Sequence, residues 1–216
     1  MLLMIKQILF DCGGVLVELN FRSLMENITG DSVLADTFIS RLWGPDSPWL
    51  RYDSGELNTQ QVVPALKDYM PTELRGYIDT FVARWLEALP PIAEMERLVD
   101  EIQSIGLGCY VLSNFSEEFR KMPEHAPVLR KMDGLVISYE NHLLKPDPAA
   151  FYNALNVLGI KAEETLFVDD NATNAQASVA CGMVGHHFTT PGAFRAFLQD
   201  AGILPVATGN VGKLTV

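Results

Sequence analysis

Four short stretches of the 216-residue chain carry side chains suited to one chemistry. Asp11 lies in Phe10-Asp11-Cys12-Gly13-Gly14, directly after an apolar run. A carboxylate there can attack phosphorus when a cation offsets its repulsion with phosphate, although an Asp before a turn is also ordinary capping chemistry. Ser113-Asn114 follows the run 107–112 and offers a hydroxyl and an amide to phosphate oxygens, or simply a turn. Lys145 sits in Leu144-Lys145-Pro146-Asp147-Pro148, where two prolines stiffen the loop around one cation that can stabilise a phosphate oxygen; the bland reading is a solvated surface lysine. Asp169-Asp170-Asn171 follows Leu166-Phe167-Val168. Adjacent acids at a strand end are costly unless a cation compensates them, and magnesium, a hard ion content with one or two carboxylates plus water and phosphate, is the natural partner.

The elements around these residues explain how they meet. Residues 5–10, 107–112 and 165–168 read as buried strands, each stopped by polar residues. Weaker strands are expected at 134–139 and 185–188. Helical patterns at 92–104, at 148–158 with Asp147 as N-cap, and at 192–200 alternate with the strands. Strand alternating with helix predicts an α/β fold, a doubly wound parallel sheet with a Rossmann-like core, in which ligands bind beyond the carboxyl ends of the strands. Residues 17–88 differ, holding helical periodicity at 21–27, 32–42, 59–69 and 72–86 without a convincing strand. We read them as an inserted helical cap (17–88) on a core formed by 1–16 and 89–216, with Pro90-Pro91 marking the return. The stretch from Ile203 onward has no clear pattern.

Bulk composition narrows the function classes. With 48% hydrophobic and 20% charged residues the chain can bury a sizeable core. Sixteen basic against 27 acidic residues give a net charge of −11, which argues against nucleic acid or an anionic membrane as partner. Cys12, Cys109 and Cys181 form no CxxC pair, the opening MLLMIKQILF reads as a first strand rather than a leader, and a cytoplasmic location is expected.

The ordered set Asp11, Ser113-Asn114, Lys145, Asp169-Asp170 resembles the haloacid dehalogenase superfamily, specifically its phosphatases with a helical cap inserted after the first motif, over nearly the whole chain. Asp11-Cys12-Gly13-Gly14-Val15, Val168-Asp169-Asp170-Asn171-Ala172 and Ser54-Gly55-Glu56-Leu57 look most like the bacterial alpha-glucose-1-phosphate phosphatase branch. The resemblance implies a Mg2+-dependent phosphomonoester hydrolase that forms an aspartyl-phosphate on Asp11 and acts on a small phosphorylated metabolite such as a hexose 1-phosphate. Asp11 would be nucleophile and metal ligand, Lys145 the charge-stabilising catalytic residue, and Ser113, Asn114 and Lys145 the phosphate binders. Asp169, Asp170 and the backbone carbonyl of Gly13 would complete the metal site.

One departure stands out. Relatives usually carry a second Asp two residues after the nucleophile, whose side chain shuttles protons; here it is Gly13. Without that acid, good leaving groups such as anomeric phosphates should suffer least. The competing reading is a binding or regulatory protein that keeps the metal site and turns over negligibly. A dehalogenase, which attacks carbon without a metal, leaves the Asp169-Asp170 pair without a purpose, and a phosphomutase needs the missing acid. Asn174 stands where many relatives have a further acid.

Other residues have two readings each. His186-His187 is a candidate metal pair or an ordinary strand end. His142 is a candidate replacement for the missing acid or a solvated loop residue. Trp43, Trp49 and Tyr52 are candidates to line a sugar pocket or to pack the cap. The segment 49–56, read as a loop facing the site, is expected to set substrate choice through Tyr52 and Arg51.

Overall fold

The computed structural model describes residues 5–206; the first four residues and the end of the tail lie outside them. Its centre is a parallel sheet of five strands: β1 (Gln7–Phe10), β2 (Gly108–Ser113), β3 (Gly134–Ile137), β4 (Thr165–Asp169) and β5 (Val184–His187), in the order β3-β2-β1-β4-β5. Every expected strand is present, displaced by one or two residues at its ends. The order reverses at β1, so the first strand is central and its carboxyl end opens on the crevice where such sheets bind ligands.

Alternation along β1 divides the core. Ile8 and Phe10 join Cys109, Val111, Leu166 and Val168 in one apolar cluster, while Leu9 joins Leu112, Val136 and Phe167 in another on the opposite face. Residues two apart on a strand share a face, so a sheet covered on both sides needs this uninterrupted apolar run.

The helices follow. Residues 21–88 carry α1 (Phe21–Thr29), α2 (Ser32–Leu42), α3 (Pro48–Asp53), α4 (Thr59–Tyr69) and α5 (Ile78–Arg84), with 3₁₀ turns at Thr72–Tyr77 and Trp85–Ala88 and no strand among them. Then come α6 (Ala93–Ser104), α7 (Met122–His125), α8 (Ser138–Asn141), α9 (Pro148–Leu158), α10 (Ala172–Ala180) and α11 (Pro191–Asp200). Helices α6 and α11 supply Met95, Leu98, Ile102 and Phe194 to the first face, and α9 supplies Phe151 and Ala154 to the second. Asp147 caps α9 through the Ala149 N–H, as its position before Pro148 predicts.

The structure corrects three details of the sequence reading. The stretch 72–86 is a 3₁₀ turn followed by α5 and a further turn, rather than one helix. Gly76, a poor helix former, falls in the first turn. The segment 49–56 is largely helical: Ser47 caps α3 by accepting the Trp49 N–H, and Pro48 occupies the first turn. Strand β3 stops at Ile137, because Ser138–Asn141 turns into α8.

Candidate active site

Register brings the acids together. Phe10 pairs with Val168 across β1 and β4, and the Asp11 N–H extends the ladder to the Val168 carbonyl at 2.8 Å. One step past this pair, Asp11 lies level with Asp169. Two carboxylates side by side repel, and Lys145 lies between them, its Nζ 3.0 Å from Asp11 Oδ1 and 2.7 Å from Asp169 Oδ2. All three residues are buried. Burial pushes the Asp11 carboxyl up to about 7, opposed by Lys145 and reinforced by Asp169. Burial works to lower the Lys145 ammonium, yet the two carboxylates raise it, so it stays charged.

Further hydrogen bonds fix Asp169. Its Oδ1 accepts the Asn171 N–H at 2.8 Å, and Asn174 Nδ2 reaches both oxygens at 3.2 and 3.1 Å. Where relatives of the resemblance have an acid, this chain therefore has a donor that steadies Asp169. Asp170 packs against the turn after Asp11. A Cβ on Gly14 would lie 2.3 Å from Asp170 Oδ2, and Gly14 has φ +71°, so both space and backbone require glycine.

One oxygen from each of Asp11, Asp169 and Asp170 lies within 4.8 Å of the others. Hard carboxylate oxygens with room for water and phosphate fit Mg2+ far better than a soft metal. Gly13 stands beside Asp11 on the cavity wall. Its missing side chain leaves space that Leu19 partly fills, since a Cβ there would meet Leu19 Cδ2 at 3.1 Å.

Of the expected phosphate binders, Ser113 ends β2 on the cavity wall, and its hydroxyl works to lower the Asp11 carboxyl. Asn114 is placed differently from expectation. Its Nδ2 donates to the Lys145 carbonyl at 2.9 Å and its Oδ1 accepts the Lys145 N–H at 2.8 Å, so the amide side chain clamps the lysine loop instead of standing free for phosphate.

The cavity over these residues measures about 470 Å³. Its lining is polar at Asp11, Ser113, Asn114, Lys145, Asp170, Asn171, Thr173 and Asn174, and apolar along a wall of Leu19, Phe21, Trp43, Trp49, Leu50, Trp85, Leu89 and Phe115. Asp53, which the sequence reading passed over, interrupts that wall. Trp43 and Trp49 thus line the cavity as well as packing on one another, with ring centroids 6.2 Å apart. Tyr52 and Arg51 do not line it. The Tyr52 ring is buried with its hydroxyl 2.8 Å from Thr59 Oγ1, and Arg51 reaches outward to Glu56.

The histidines serve structure. His142 Nδ1 lies 2.7 Å from the Ser54 carbonyl, which ties it to the helical segment and away from the role of acid. His186 packs at a tilt on Phe197, with ring centroids 4.2 Å apart, and His187 Nε2 meets the Asp170 carbonyl at 3.0 Å. Cys12, Cys109 and Cys181 are all buried free thiols.

The chain belongs to the haloacid dehalogenase-like hydrolases, whose family model matches residues 5–182. It is 26% identical over 185 residues, 85% of this chain and 90% of the relative, to the sesquiterpene phosphatase astK of Aspergillus oryzae. It is also 26% identical over 180 residues, 78% of this chain and 76% of the relative, to (S)-2-haloacid dehalogenase 4A of Burkholderia cepacia. Among solved structures it resembles a family enzyme from Bacteroides thetaiotaomicron in complex with magnesium and inorganic phosphate, with TM-score 0.65, 23% identity, and coverage of 86% of this chain and 94% of that one. It likewise resembles the L-2-haloacid dehalogenase of Xanthobacter autotrophicus, with TM-score 0.64, 18% identity and coverage of 94% and 85%. Among the described residues no helix is long and apolar enough to cross a membrane.

Proposed function

We propose that this hydrolase is a Mg2+-dependent phosphomonoester phosphatase that works through an aspartyl-phosphate on Asp11. The observation that carries the reading is the set of Asp11, Asp169 and Asp170 with oxygens within 4.8 Å. A hydrolase attacking carbon in a haloacid needs no cation beside its nucleophile, whereas phosphoryl transfer needs one there to neutralise phosphate, and three clustered carboxylates suit it. Asp11, Asp169, Asp170 and the Gly13 carbonyl would hold the ion, which when bound offsets phosphate charge.

The chain's own groups do the rest. An Asp11 oxygen bonds to phosphorus while the bond from phosphorus to the leaving oxygen breaks, and the alcohol departs. Water then attacks phosphorus, the bond to Asp11 breaks, and inorganic phosphate leaves with the carboxylate restored. Lys145 holds Asp11 in line and faces the phosphate oxygens, and Ser113 adds a hydroxyl.

The substrate reading shifts from the sugar expected of the sequence. A hexose presents many hydroxyls, and those set against the wall of Leu, Phe and Trp would lose their water there, where Asp53 is the one ionisable group. We therefore assign a phosphate ester whose organic part is largely apolar, a class that the name of the Aspergillus relative also supports. The test is phosphate release from an isoprenoid monophosphate, an aryl phosphate and glucose 1-phosphate, with magnesium and with chelator. Release that requires the metal and favours the apolar esters is expected. Equal release with chelator would overturn the metal reading, and preference for the sugar would overturn the substrate class.

A further inference from the structure

The carboxyl of Asp53 has no structural task. It closes α3, is 6% exposed and borders the same cavity as Asp11 and Lys145. Among the described residues its carboxylate makes no hydrogen bond and no ion pair. An acid buried without a partner is costly as the anion, and such groups persist chiefly where a reaction uses them.

Its backbone, by contrast, is pinned to the sheet. The Asp53 carbonyl accepts the Ser138 hydroxyl at 2.5 Å, and that hydroxyl oxygen accepts the Phe115 N–H at 2.9 Å. The next carbonyl, of Ser54, is met by His142. Gly55 follows with φ +74°, its Cα so close to Tyr139 that an added Cβ would lie 2.3 Å from the Tyr139 carbonyl oxygen. These ties seat residues 53–55 on the ends of β2 and β3, two strands whose carboxyl ends face the site. Asp53 is thereby held at a fixed place on the lining of the cavity that Asp11 and Lys145 also border.

We propose that Asp53 is the catalytic acid that protonates the leaving oxygen, taking over the task of the side chain that Gly13 lacks. This rests on the phosphatase reading above. As the bond between phosphorus and the leaving oxygen breaks, the Asp53 proton passes to that oxygen and a neutral alcohol departs. Asp53, now a carboxylate, takes a proton from the water that attacks the aspartyl-phosphate, which restores the acid form as the bond to Asp11 breaks and phosphate leaves. Supporting this, burial raises the Asp53 carboxyl well above its ordinary value, which favours the protonated form that a catalytic acid needs.

The alternative, that Asp53 binds a polar group of the substrate, predicts a different kinetic pattern. The experiment compares kcat/KM for 4-nitrophenyl, phenyl and benzyl phosphate in wild type, Asp53→Asn and Asp11→Asn, all with saturating Mg2+ and with folding checked by thermal melting. For benzyl phosphate, whose alkoxide leaves poorly, Asp53→Asn should lose about 10² to 10⁴. For 4-nitrophenyl phosphate, which needs no proton, the loss should stay under about tenfold. An equal loss for all three esters, or none, overturns the role of Asp53 while activity that vanishes in Asp11→Asn leaves the phosphatase reading intact. No metal-dependent hydrolysis by wild type overturns the phosphatase reading itself. If Asp53→Asn does not fold, Asp53→Ser carries the same comparison, and Asp53→Glu should restore part of the benzyl phosphate rate.

Discussion

Asn114 holds Lys145 by the backbone on both sides, donating to its carbonyl at 2.9 Å and accepting its N–H at 2.8 Å. The end of β2 is thereby joined to the loop that aims the Lys145 ammonium between Asp11 and Asp169. Asn114→Ala should lower kcat by about tenfold to a hundredfold, the range in which small misplacements of catalytic groups fall. KM should change far less, because the amide is engaged with protein. Steady-state kinetics with saturating metal check this, and a rise in KM at unchanged kcat would instead assign Asn114 to phosphate binding.

Asn174 donates to both oxygens of Asp169, the most deeply buried of the three clustered carboxylates proposed to hold Mg2+. Groups that orient a ligand in this way are typically worth about 10-fold to 100-fold in metal affinity. Asn174→Ala should raise the Mg2+ concentration for half-maximal activity by such a factor and largely recover at saturating Mg2+. Titration of activity against Mg2+ is the measurement.

The apolar rim gives a test of the substrate class. Trp43 and Leu50 line the cavity and are 45% and 41% exposed, so truncating them spares the core. Trp43→Ala should raise KM for an isoprenoid monophosphate about tenfold, equivalent to about 1.4 kcal/mol of lost apolar contact, and leave phenyl phosphate nearly unchanged. Arg51→Ala, which alters only the outward pair with Glu56, should leave the ranking of substrates as it was.

Asp53 also has a thermodynamic signature. Burial raises its carboxyl in the folded state, so the folded protein holds a proton that the unfolded chain releases at lower pH. Stability from such a group is present at low pH and is lost as pH rises, and an Asn in its place does not titrate. The melting temperature of Asp53→Asn relative to wild type should therefore increase from about pH 5 to about pH 8. The other charged groups around the cavity, Asp11, Asp170 and Lys145, together with His142 behind Ser54 and the Arg51–Glu56 pair, are common to both proteins. A constant difference across that range would show that Asp53 is ionised in the folded state.

Much of this was readable before any coordinates. The apolar runs ending at Asp11, Ser113 and Asp169 are local signals, and parallel pairing follows from their alternation with helices, so the sheet and the meeting of Asp11, Lys145, Asp169 and Asp170 were legible. What escaped depends on partners far away in sequence. The Asn114 clamp joins residues 31 apart, and the seat of Asp53 on Ser138 joins residues 85 apart. No periodicity reports such pairs. Helix α3 differs in kind, since Ser47-Pro48 is a sound local helix start, yet Ser and Pro are equally the residues of a turn. Had α3 been recognised, Trp49, Leu50 and Asp53 would have been separated from Arg51 and Tyr52 as the residues on its cavity side.

The account turns on a covalent bond to Asp11. Rapid mixing of wild type with a phosphomonoester and Mg2+, acid quenching and peptide mass analysis should show the mass of one phosphoryl group on the peptide that contains Asp11. That increment should be absent with chelator and absent in Asp11→Asn. Metal-dependent phosphate release with no modification at Asp11, or release that survives in a folded Asp11→Asn, would contradict the mechanism.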